Sequence, residues 1–336
     1  MKKIFFALIV ALVFSGGMAF AVFSLNLIKN ESGVEVKIRK GDGWDVVKNQ
    51  LSGNADVKFS SLINLTAKIF RYDQRIRSGR YVLAKGSSAF DIIRKLRSGN
   101  QDPVNFVINN ITFPEQLASR AGQKLDIDST EFLQFIESPE NALKYGFNRD
   151  NFIAMFLCNS YQLYWDIGLE GFVDRMSQEY NRFWNEEKRQ QANKIGLLPE
   201  EVIVLASIVQ KETNYKPEYG TVASVYLNRL RTGMPLQADP TVKFALRDMS
   251  IKRILKKDLE TDSPYNTYMY RGLPPGPIGL PESDVISGVL NAPSNNYLYF
   301  CAIFGSGKHA FSKTYSEHLE YARAYQKALN AQQIYR

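Results

Sequence analysis

The sequence predicts an α+β protein with an N-terminal transmembrane helix, a small α+β module and a larger, mixed α+β domain. The chain begins with an apolar run. Beyond it, short stretches with the two-residue alternation of half-buried strands are mixed with stretches of helical spacing. Hydrophobic residues make up 45% and charged residues 23% of the 336 positions. This balance allows a buried core and excludes a wholly disordered or collagen-like chain.

The apolar run covers residues 4–24 and follows two lysines. About 20 apolar residues cross a bilayer, and the positive-inside rule keeps flanking lysines on the cytoplasmic side. We therefore predict that residues 1–3 are cytoplasmic and that residues 4–24 form a single-pass anchor in the inner (cytoplasmic) membrane. The rest of the chain is expected in the periplasm or elsewhere outside the cytoplasm.

The alternative for this segment is a cleaved signal peptide. Ala19-Phe20-Ala21 has the small-x-small form of a cleavage site. The apolar run continues beyond this site through Val22 and Phe23, with no polar residue directly after it. This favours an uncleaved anchor.

Cysteine and histidine are scarce, which limits the chemistry open to the protein. The chain has two of each: Cys158, Cys301, His309 and His318. This supply excludes zinc fingers, disulfide frameworks and three-histidine metal sites, so no metal or cofactor is predicted. Because both cysteines have apolar neighbours, free thiols are expected rather than a disulfide.

The net charge of +8 predicts attraction to polyanions outside the cytoplasm. Anionic lipid headgroups or an anionic wall polymer fit that location better than nucleic acid does. The lysines and arginines are scattered along the chain, so an ordinary solvated surface accounts for most of them.

Residues 30–104 are predicted to form the small α+β module. Its elements, in order, are a strand at 34–38, helices at 44–51 and 59–70, a strand at 78–83, and a helix that Ser87 or Ser88 caps and Gly99 ends. Two short strands packed on helices resemble a LysM-like sugar-binding module. Any small α+β domain gives a similar pattern. The sequence therefore leaves open whether this module binds glycan or is an ordinary small domain.

Residues 105–197 alternate between short strands and helices, and we assign them to an intervening part of the larger domain. Within them, residues 172–195 have the spacing of one long amphipathic helix, with Phe172, Met176 and Tyr180 on one face. Ordinary core packing explains that face.

The strongest local feature lies in residues 198–336, the predicted catalytic core. Pro199 suits the first position of a helix, and residues 202–209 are almost all apolar. Glu212 follows on their face. Burial and the negative end of the helix dipole both raise the pKa of a carboxyl placed there, as a general acid requires. The alternative is a glutamate that ends the helix and pairs with a lysine or arginine.

A second helix is predicted at residues 219–231, and loops rich in proline and glycine follow it. Asp239 precedes Pro240 and is expected to cap a third helix. The loops present aromatic and amide side chains on a stiff backbone, as sugar-binding clefts do; these candidates are Gln237, Tyr265, Asn266 and Tyr268. Loops of this composition can also be purely structural.

Five sequence blocks together resemble the endolytic murein transglycosylases of the YceG-like family. The blocks are residues 206–213, 228–230 with 233–242, 263–268, 272–278, and 297–300 with the pair at 309 and 311. The predicted anchor and the LysM-like module also lie where that family has them. The resemblance therefore covers nearly the whole chain.

The resemblance implies a membrane-anchored lytic transglycosylase. Such an enzyme cleaves between N-acetylmuramic acid and N-acetylglucosamine within nascent glycan strands of peptidoglycan and leaves 1,6-anhydro ends. The family's catalytic glutamate falls on Glu212, which would act as general acid and then as base. The residues expected to contact the glycan are Gln237, Asp239, Tyr265, Asn266 and Tyr268. Besides the glycan and the membrane, the implied partner is a peptidoglycan synthase, and nucleic acid is not a partner.

Three positions depart from the family pattern. Gln210 stands where many members carry a second glutamate, but it lies roughly 200° from Glu212 around the helix axis, so the chemistry is expected to be intact. Cys158 and Gln162 stand where proline and glutamate are common, which puts a substrate contact by Gln162 in doubt.

Two other functions compete with this one. A peptidoglycan-binding scaffold that has lost catalysis would keep the fold but would not need Glu212. A nucleic-acid or lipid-surface binder needs clustered basic residues, and here they are dispersed. Residues 305–308 resemble part of a phosphate loop, yet Ala302 and His309 occupy positions that such a loop requires as Gly and Ser or Thr.

Overall fold

The computed structural model describes residues 2–331, which form two compact units. The first unit runs to Phe106 and also includes Gly122–Ile127 and Tyr161–Gly168. The second unit comprises Val107–Ala121, Asp128–Ser160 and the chain from Leu169 onward. Helices and small two-stranded sheets build both, so the α+β class is confirmed. The domain boundaries drawn from the sequence stay predictions.

Helices and one antiparallel sheet make up the first unit. Its elements are α1 (Lys2–Ser24), β1 (Val34–Ile38), α2 (Trp44–Ser52), α3 (Ser60–Ile69), β2 (Gly79–Leu83) and α4 (Ala89–Ser98). Every second residue of β1 is buried, and Val36 lies opposite Tyr81 of β2. The two-residue alternation therefore placed β1 correctly, and the predicted order of elements is confirmed.

The first helix, α1, covers the segment predicted as the anchor. Among residues 2–331, no helix combines the length and the apolar character that a membrane crossing requires.

The start of α4 is fixed by a capping box. Ser88 Oγ accepts the backbone N–H of Asp91, and Asp91 Oδ2 accepts the backbone N–H of Ser88, both at 3.2 Å. The helix ends at Gly99, which has a left-handed backbone with φ of 71°. These two ends orient α4 so that Ile92 and Leu96 are fully buried in the core of the unit.

The rest of the chain adds helices around two further strand pairs. In order, the elements are β3 (Val104–Ile108), α5 (Pro114–Lys124), α6 (Ser129–Glu137), α7 (Pro139–Lys144), β4 (Asn159–Leu163), α8 (Gly168–Phe183), α9 (Glu186–Ile195), α10 (Pro199–Glu212), α11 (Tyr219–Arg231), α12 (Asp239–Ala245), α13 (Ser283–Leu290), β5 (Tyr299–Ala302), β6 (His309–Ser312) and α14 (Tyr315–Ala331). Strand β3 pairs with β4, and β5 with β6. Helix α10 packs against α11, α12 and α13 at the centre of the second unit. The sequence predicts a last helix over residues 315–335, of which residues 332–335 lie outside the described residues.

The prediction of one long helix over residues 172–195 is wrong. Helix α8 ends at Phe183, and α9 begins only at Glu186. Asn185 between them has an extended backbone, and its side chain accepts the N–H of Lys188 at 3.0 Å. An asparagine in this position caps a new helix more favourably than it continues an old one, which explains the break.

The two cysteines lie in different surroundings. Cys158 is buried, with its Sγ 3.4 Å from the carbonyl oxygen of Leu280. Cys301 lies partly exposed on β5. Both thiols are free. Burial raises the pKa of Cys158 to about 12, so this thiol is packed as a small apolar group rather than poised as a nucleophile.

Candidate active site

Helix α10 places Glu212 at the end of a buried apolar segment. Val202–Val209 are all buried, and Pro199 is the first residue of the helix. The carboxylate of Glu201 accepts the backbone N–H of Leu198 at 2.7 Å and so stabilises the helix start. The backbone leaves the helix at Glu212, because the next residue, Thr213, is extended. The predicted helix and the position of Glu212 at its end are confirmed.

Glu212 is held by a tyrosine from the neighbouring helix. The hydroxyl of Tyr226 on α11 donates to Glu212 Oε1 at 2.8 Å. The Tyr226 side chain is 1% exposed, and the edge of its ring meets Phe300 of β5 with centroids 5.8 Å apart. The sequence predicts the helix that carries Tyr226 but not this contact between two helices. The alternative in which Glu212 pairs with a lysine or arginine at the helix end is not what the structure shows.

The surroundings of Glu212 keep its carboxyl protonated at higher pH than usual. Burial is the main cause and raises the pKa of Glu212 to about 7, while the hydrogen bond from Tyr226 works in the opposite direction. The negative charge of Asp239 also raises the pKa, and the positive charges of Lys243 and Arg229 lower it. Near neutral pH the carboxyl therefore exists in both forms, so it can give and take a proton.

Asp239 does not act as the helix cap that the sequence suggested. Ala238 is the N-cap of α12, and Asp239 is the first residue of the helix, with no capping bond from its side chain. Its Oδ1 instead accepts the hydroxyl of Tyr268 at 2.6 Å. The prediction of a cap is wrong, because Asp239 lies inside the first turn and Ala238 occupies the capping position. Asp239 is exposed and electrostatically coupled to Glu212.

Asn266 supports the loop that carries Tyr268. It is fully buried, and its Nδ2 donates to the carbonyl oxygens of Leu259 at 2.9 Å and Thr261 at 2.8 Å. Its Oδ1 accepts the backbone N–H of Tyr268 at 3.1 Å. The amide is thus occupied within its own loop. Asn266 holds the loop in place and does not present its amide to a ligand.

The other two predicted glycan contacts lie in the same unit with different environments. The ring of Tyr265 packs on Phe244 with centroids 4.8 Å apart, and burial raises the pKa of Tyr265 to about 12. Gln237 is exposed and has a left-handed backbone with φ of 52°, which is uncommon for a residue with a Cβ. Its N–H donates to the carbonyl oxygen of Thr267 at 3.1 Å, so a backbone bond holds this conformation.

Gln210 is directed away from the site, as helical geometry predicted. Its Oε1 accepts the backbone N–H of Glu282, at the start of α13, at 2.6 Å. Gln210, one of the three residues that depart from the family pattern, therefore joins α10 to the start of α13 and does not contact Glu212.

A cavity of about 420 Å³ opens beside Glu212. Its walls come from the end of α10, from the β5–β6 hairpin and from α14; the lining residues are Glu212, Thr213, Asn214, Ala302, Ile303, Phe304, Gly305, Gly307, Lys308, His309 and Tyr325. Carboxyl, amide, imidazole and aromatic groups share this space. In the part of the chain that the structure describes, no group of three or more His, Cys, Asp or Glu residues is arranged to hold a metal ion.

Comparisons with known proteins relate this chain to one family. The YceG-like family model matches residues 36–324. The endolytic murein transglycosylase of Bacillus subtilis (strain 168) is 29% identical over 332 residues, which cover 91% of this chain and 89% of that protein. The Streptococcus pneumoniae (strain D39) protein of the same name is 25% identical over 85% of this chain, and the alignment spans only 57% of that longer relative.

A solved structure supports the same relationship. The 2.6 Å crystal structure of a YceG-like protein from Listeria monocytogenes matches with a TM-score of 0.58 at 25% sequence identity. The match covers 87% of this chain and 99% of that one. Because the family model spans most of the sequence and includes Glu212, the chain belongs to the YceG-like family.

Proposed function

We propose that this protein is an endolytic murein transglycosylase that acts on the glycan strands of peptidoglycan. The bond cleaved joins N-acetylmuramic acid to N-acetylglucosamine inside a strand, and the products carry 1,6-anhydro ends. The observation that carries the proposal is Glu212, a carboxyl with a pKa of about 7 at the wall of a cavity. The relatives named endolytic murein transglycosylases support the choice of substrate.

A single carboxyl is sufficient for this reaction. Protonated Glu212 gives its proton to the glycosidic oxygen as the bond from that oxygen to C1 of the muramoyl residue breaks. The resulting carboxylate accepts the proton of the C6 hydroxyl of the same residue, and that oxygen forms the new bond to C1. No water is consumed, and Glu212 returns to its protonated form. Ordinary glycosidases need a second carboxylate as nucleophile or water activator.

The residues around Glu212 suit these two steps. The Tyr226 hydroxyl fixes one carboxyl oxygen and stabilises the ionised form between the steps. Burial and the charge of Asp239 favour the protonated form at the start. Asp239 is a second carboxylate that influences Glu212, and Tyr268 already binds it.

Digestion of purified peptidoglycan tests the proposal. Mass spectrometry of the products should reveal 1,6-anhydro ends, and Glu212→Gln should reduce cleavage by at least about a thousandfold, because glutamine cannot transfer a proton. Glu260→Gln, at an exposed glutamate of the same unit, is the matched control and should leave the rate unchanged. Reducing ends would indicate hydrolysis, and an intact substrate would indicate a binding scaffold.

We also propose that residues 4–24 anchor the protein in the inner membrane and that it acts beside a peptidoglycan synthase outside the cytoplasm. Support for the anchor comes from the apolar sequence and from exposed apolar side chains on α1, among them Phe5, Phe6 and Phe14. Alkaline carbonate extraction of membranes should leave the full chain in the pellet and release a variant that lacks residues 4–24. Release of the full chain as well as the shortened variant would contradict the anchor. Co-purification from membranes tests whether a peptidoglycan synthase is a partner.

A further inference from the structure

His309 lies in the cavity wall and pairs with Glu218, and neither residue has a part in the proton transfers described above. His309 Nδ1 lies 2.8 Å from Glu218 Oε2, and the backbone N–H of His309 donates to Glu218 Oε1 at 3.1 Å. Both side chains are 12% exposed. Glu218 directly precedes α11, and His309 is the first residue of β6, so one carboxylate fixes both the ring and the strand.

The pair shares its surroundings with Glu212. Phe300 meets the ring of His309 edge to face, with centroids 5.4 Å apart, and meets the ring of Tyr226 in the same way. Tyr226 in turn holds Glu212. His309 and Glu212 both line the 420 Å³ cavity. Glu212 and His309 therefore face the same cavity.

The bond to Glu218 determines which ring nitrogen can bind a ligand. When the ring is neutral and its Nδ1–H donates to the Glu218 carboxylate, Nε2 is the acceptor of the ring. Among the described residues, none binds Nε2, and Nε2 is not among the buried polar atoms left without a partner. It is thus an oriented acceptor that the protein itself does not use.

We propose that His309 is a glycan-binding residue, oriented by Glu218, whose Nε2 accepts a hydrogen bond from a sugar hydroxyl in the cavity beside Glu212. This rests on the proposed function, because it assumes that the cavity holds the glycan. A sugar presents many hydroxyl donors, and the aromatic Phe304 and Tyr325 in the same cavity suit the apolar faces of sugar rings. His309 is therefore a residue that binds substrate, and Glu218 is a positioning residue.

The test measures binding without turnover. In the full chain carrying Glu212→Gln, titration calorimetry gives the affinity for a peptidoglycan tetrasaccharide of alternating N-acetylglucosamine and N-acetylmuramic acid. Adding His309→Phe keeps an aromatic ring against Phe300 but removes the acceptor, and we expect binding about three- to tenfold weaker, the effect of one hydrogen bond. His318→Phe is the matched control on α14, outside the cavity lining, and should leave the affinity unchanged.

Variants of Glu218 test the orientation. Glu218→Ala should weaken binding about as much as His309→Phe does, because the ring is no longer fixed. Glu218→Gln should restore part of the affinity, since its amide oxygen can still accept from Nδ1, although its amide nitrogen cannot accept the backbone N–H of His309. His309→Phe leaves the Glu218 carboxylate without its partner. If that variant does not fold, the double variant His309→Phe with Glu218→Gln, which removes this charge, is titrated in its place.

The outcomes separate this inference from the proposed function. If the chain with Glu212→Gln alone fails to bind the tetrasaccharide, the glycan assignment of the cavity fails and this inference falls with it. If that chain binds but the folded His309→Phe variant binds equally well, only the role of His309 is overturned. If Glu218→Ala has no effect, or Glu218→Gln does not restore binding, Glu218 does not orient His309.

Discussion

Glu212 owes its chemistry to three neighbours that lie on different elements. The buried face of α10 removes water from the carboxyl, Tyr226 of α11 bonds to it, and Asp239 of α12 adds a nearby negative charge. Burial and Asp239 raise the pKa of the carboxyl, and Tyr226 lowers it. The balance leaves a group that changes protonation close to neutral pH, whereas an exposed glutamate is ionised there.

The raised pKa predicts how activity depends on pH. Only protonated Glu212 can act as the general acid, and its pKa is raised from 4.5 to about 7. We therefore expect kcat/KM on a soluble glycan to stay high while Glu212 is protonated and to fall as pH rises through about 7, by about tenfold per pH unit above it. A glutamate with an ordinary pKa would lose the acid form near pH 4.5. A decline centred there would contradict the role of burial.

Tyr226→Phe tests the same balance in the other direction. Removing the hydroxyl removes the hydrogen bond that stabilises the carboxylate, so the pKa of Glu212 rises and the alkaline decline moves to higher pH. The pH–rate profiles of the two enzymes measure this shift. Tyr219→Phe, on the same helix, is the matched control and should leave the profile in place. A shift to lower pH would contradict the assigned role of Tyr226.

At the scale of residues, the sequence predicted the candidate catalytic residue, Glu212, but not the side chains that contact it or influence its charge. Helical spacing places Glu212 on a buried face of its own helix, and the resemblance to the YceG-like family marks it as the expected catalytic glutamate. The contact with Tyr226 joins two helices, and the pattern of α11 shows only that Tyr226 faces inward. Asp239 was misassigned because Asp before Pro matches a common local cap, and only the folded loop brings the Tyr268 hydroxyl to it. Contacts between elements leave no such periodic signal in the sequence.

At the scale of elements, the loop between α12 and α13 depends on buried hydrogen bonds rather than on regular structure. Thr267 Oγ1 lies 2.9 Å from Thr241 Oγ1 and accepts the backbone N–H of Ala238 at 3.0 Å. Asn266 bonds within the loop at three points. These contacts join the loop to the start of α12, so Tyr268 and Asp239 approach each other as two parts of one rigid arrangement.

Asn266→Ala should therefore destabilise the protein and displace Tyr268. It leaves two buried carbonyl oxygens and one N–H without their partner, and we expect a loss of about 3 kcal/mol in the free energy of unfolding. Urea denaturation measures this loss. Asn296→Ala, at an exposed asparagine of the same unit, is the matched control and should change stability by less than about 0.5 kcal/mol. Equal effects of both substitutions would show that the amide of Asn266 does not hold the loop.

Element boundaries were predictable where a local signal coincides with the hydrophobic period. The capping serine and the terminal glycine of α4, and Pro199 at the start of α10, are such cases. The break between α8 and α9 was missed because the apolar period continues across it, although Asn185 is a capping residue followed by two glutamates. There a strong local cap outweighs the continuous period.

At the scale of the whole molecule, two compact units each carry a core of their own. The core of the first unit is formed by side chains of its sheet and helices, including Ile38, Tyr81 and Leu96. The core of the second unit centres on α10 and the helices packed around it. Segments 122–127 and 161–168 belong to the first unit although they lie far along the chain. Sequence patterns could not reveal this return, because it depends on where the chain folds back.

Two leucine substitutions test whether each unit unfolds as its own cooperative step. Leu96 of the first unit and Leu205 of the second are both fully buried, so each Leu→Ala change should cost about 2–5 kcal/mol in its own unit. Differential scanning calorimetry should resolve two transitions, of which Leu96→Ala lowers one and Leu205→Ala the other. Cleavage activity should be lost along with the transition that Leu205→Ala lowers, because α10 carries Glu212. If both variants lower the same single transition by the same amount, the two units unfold as one, and the separate cores do not confer separate stability.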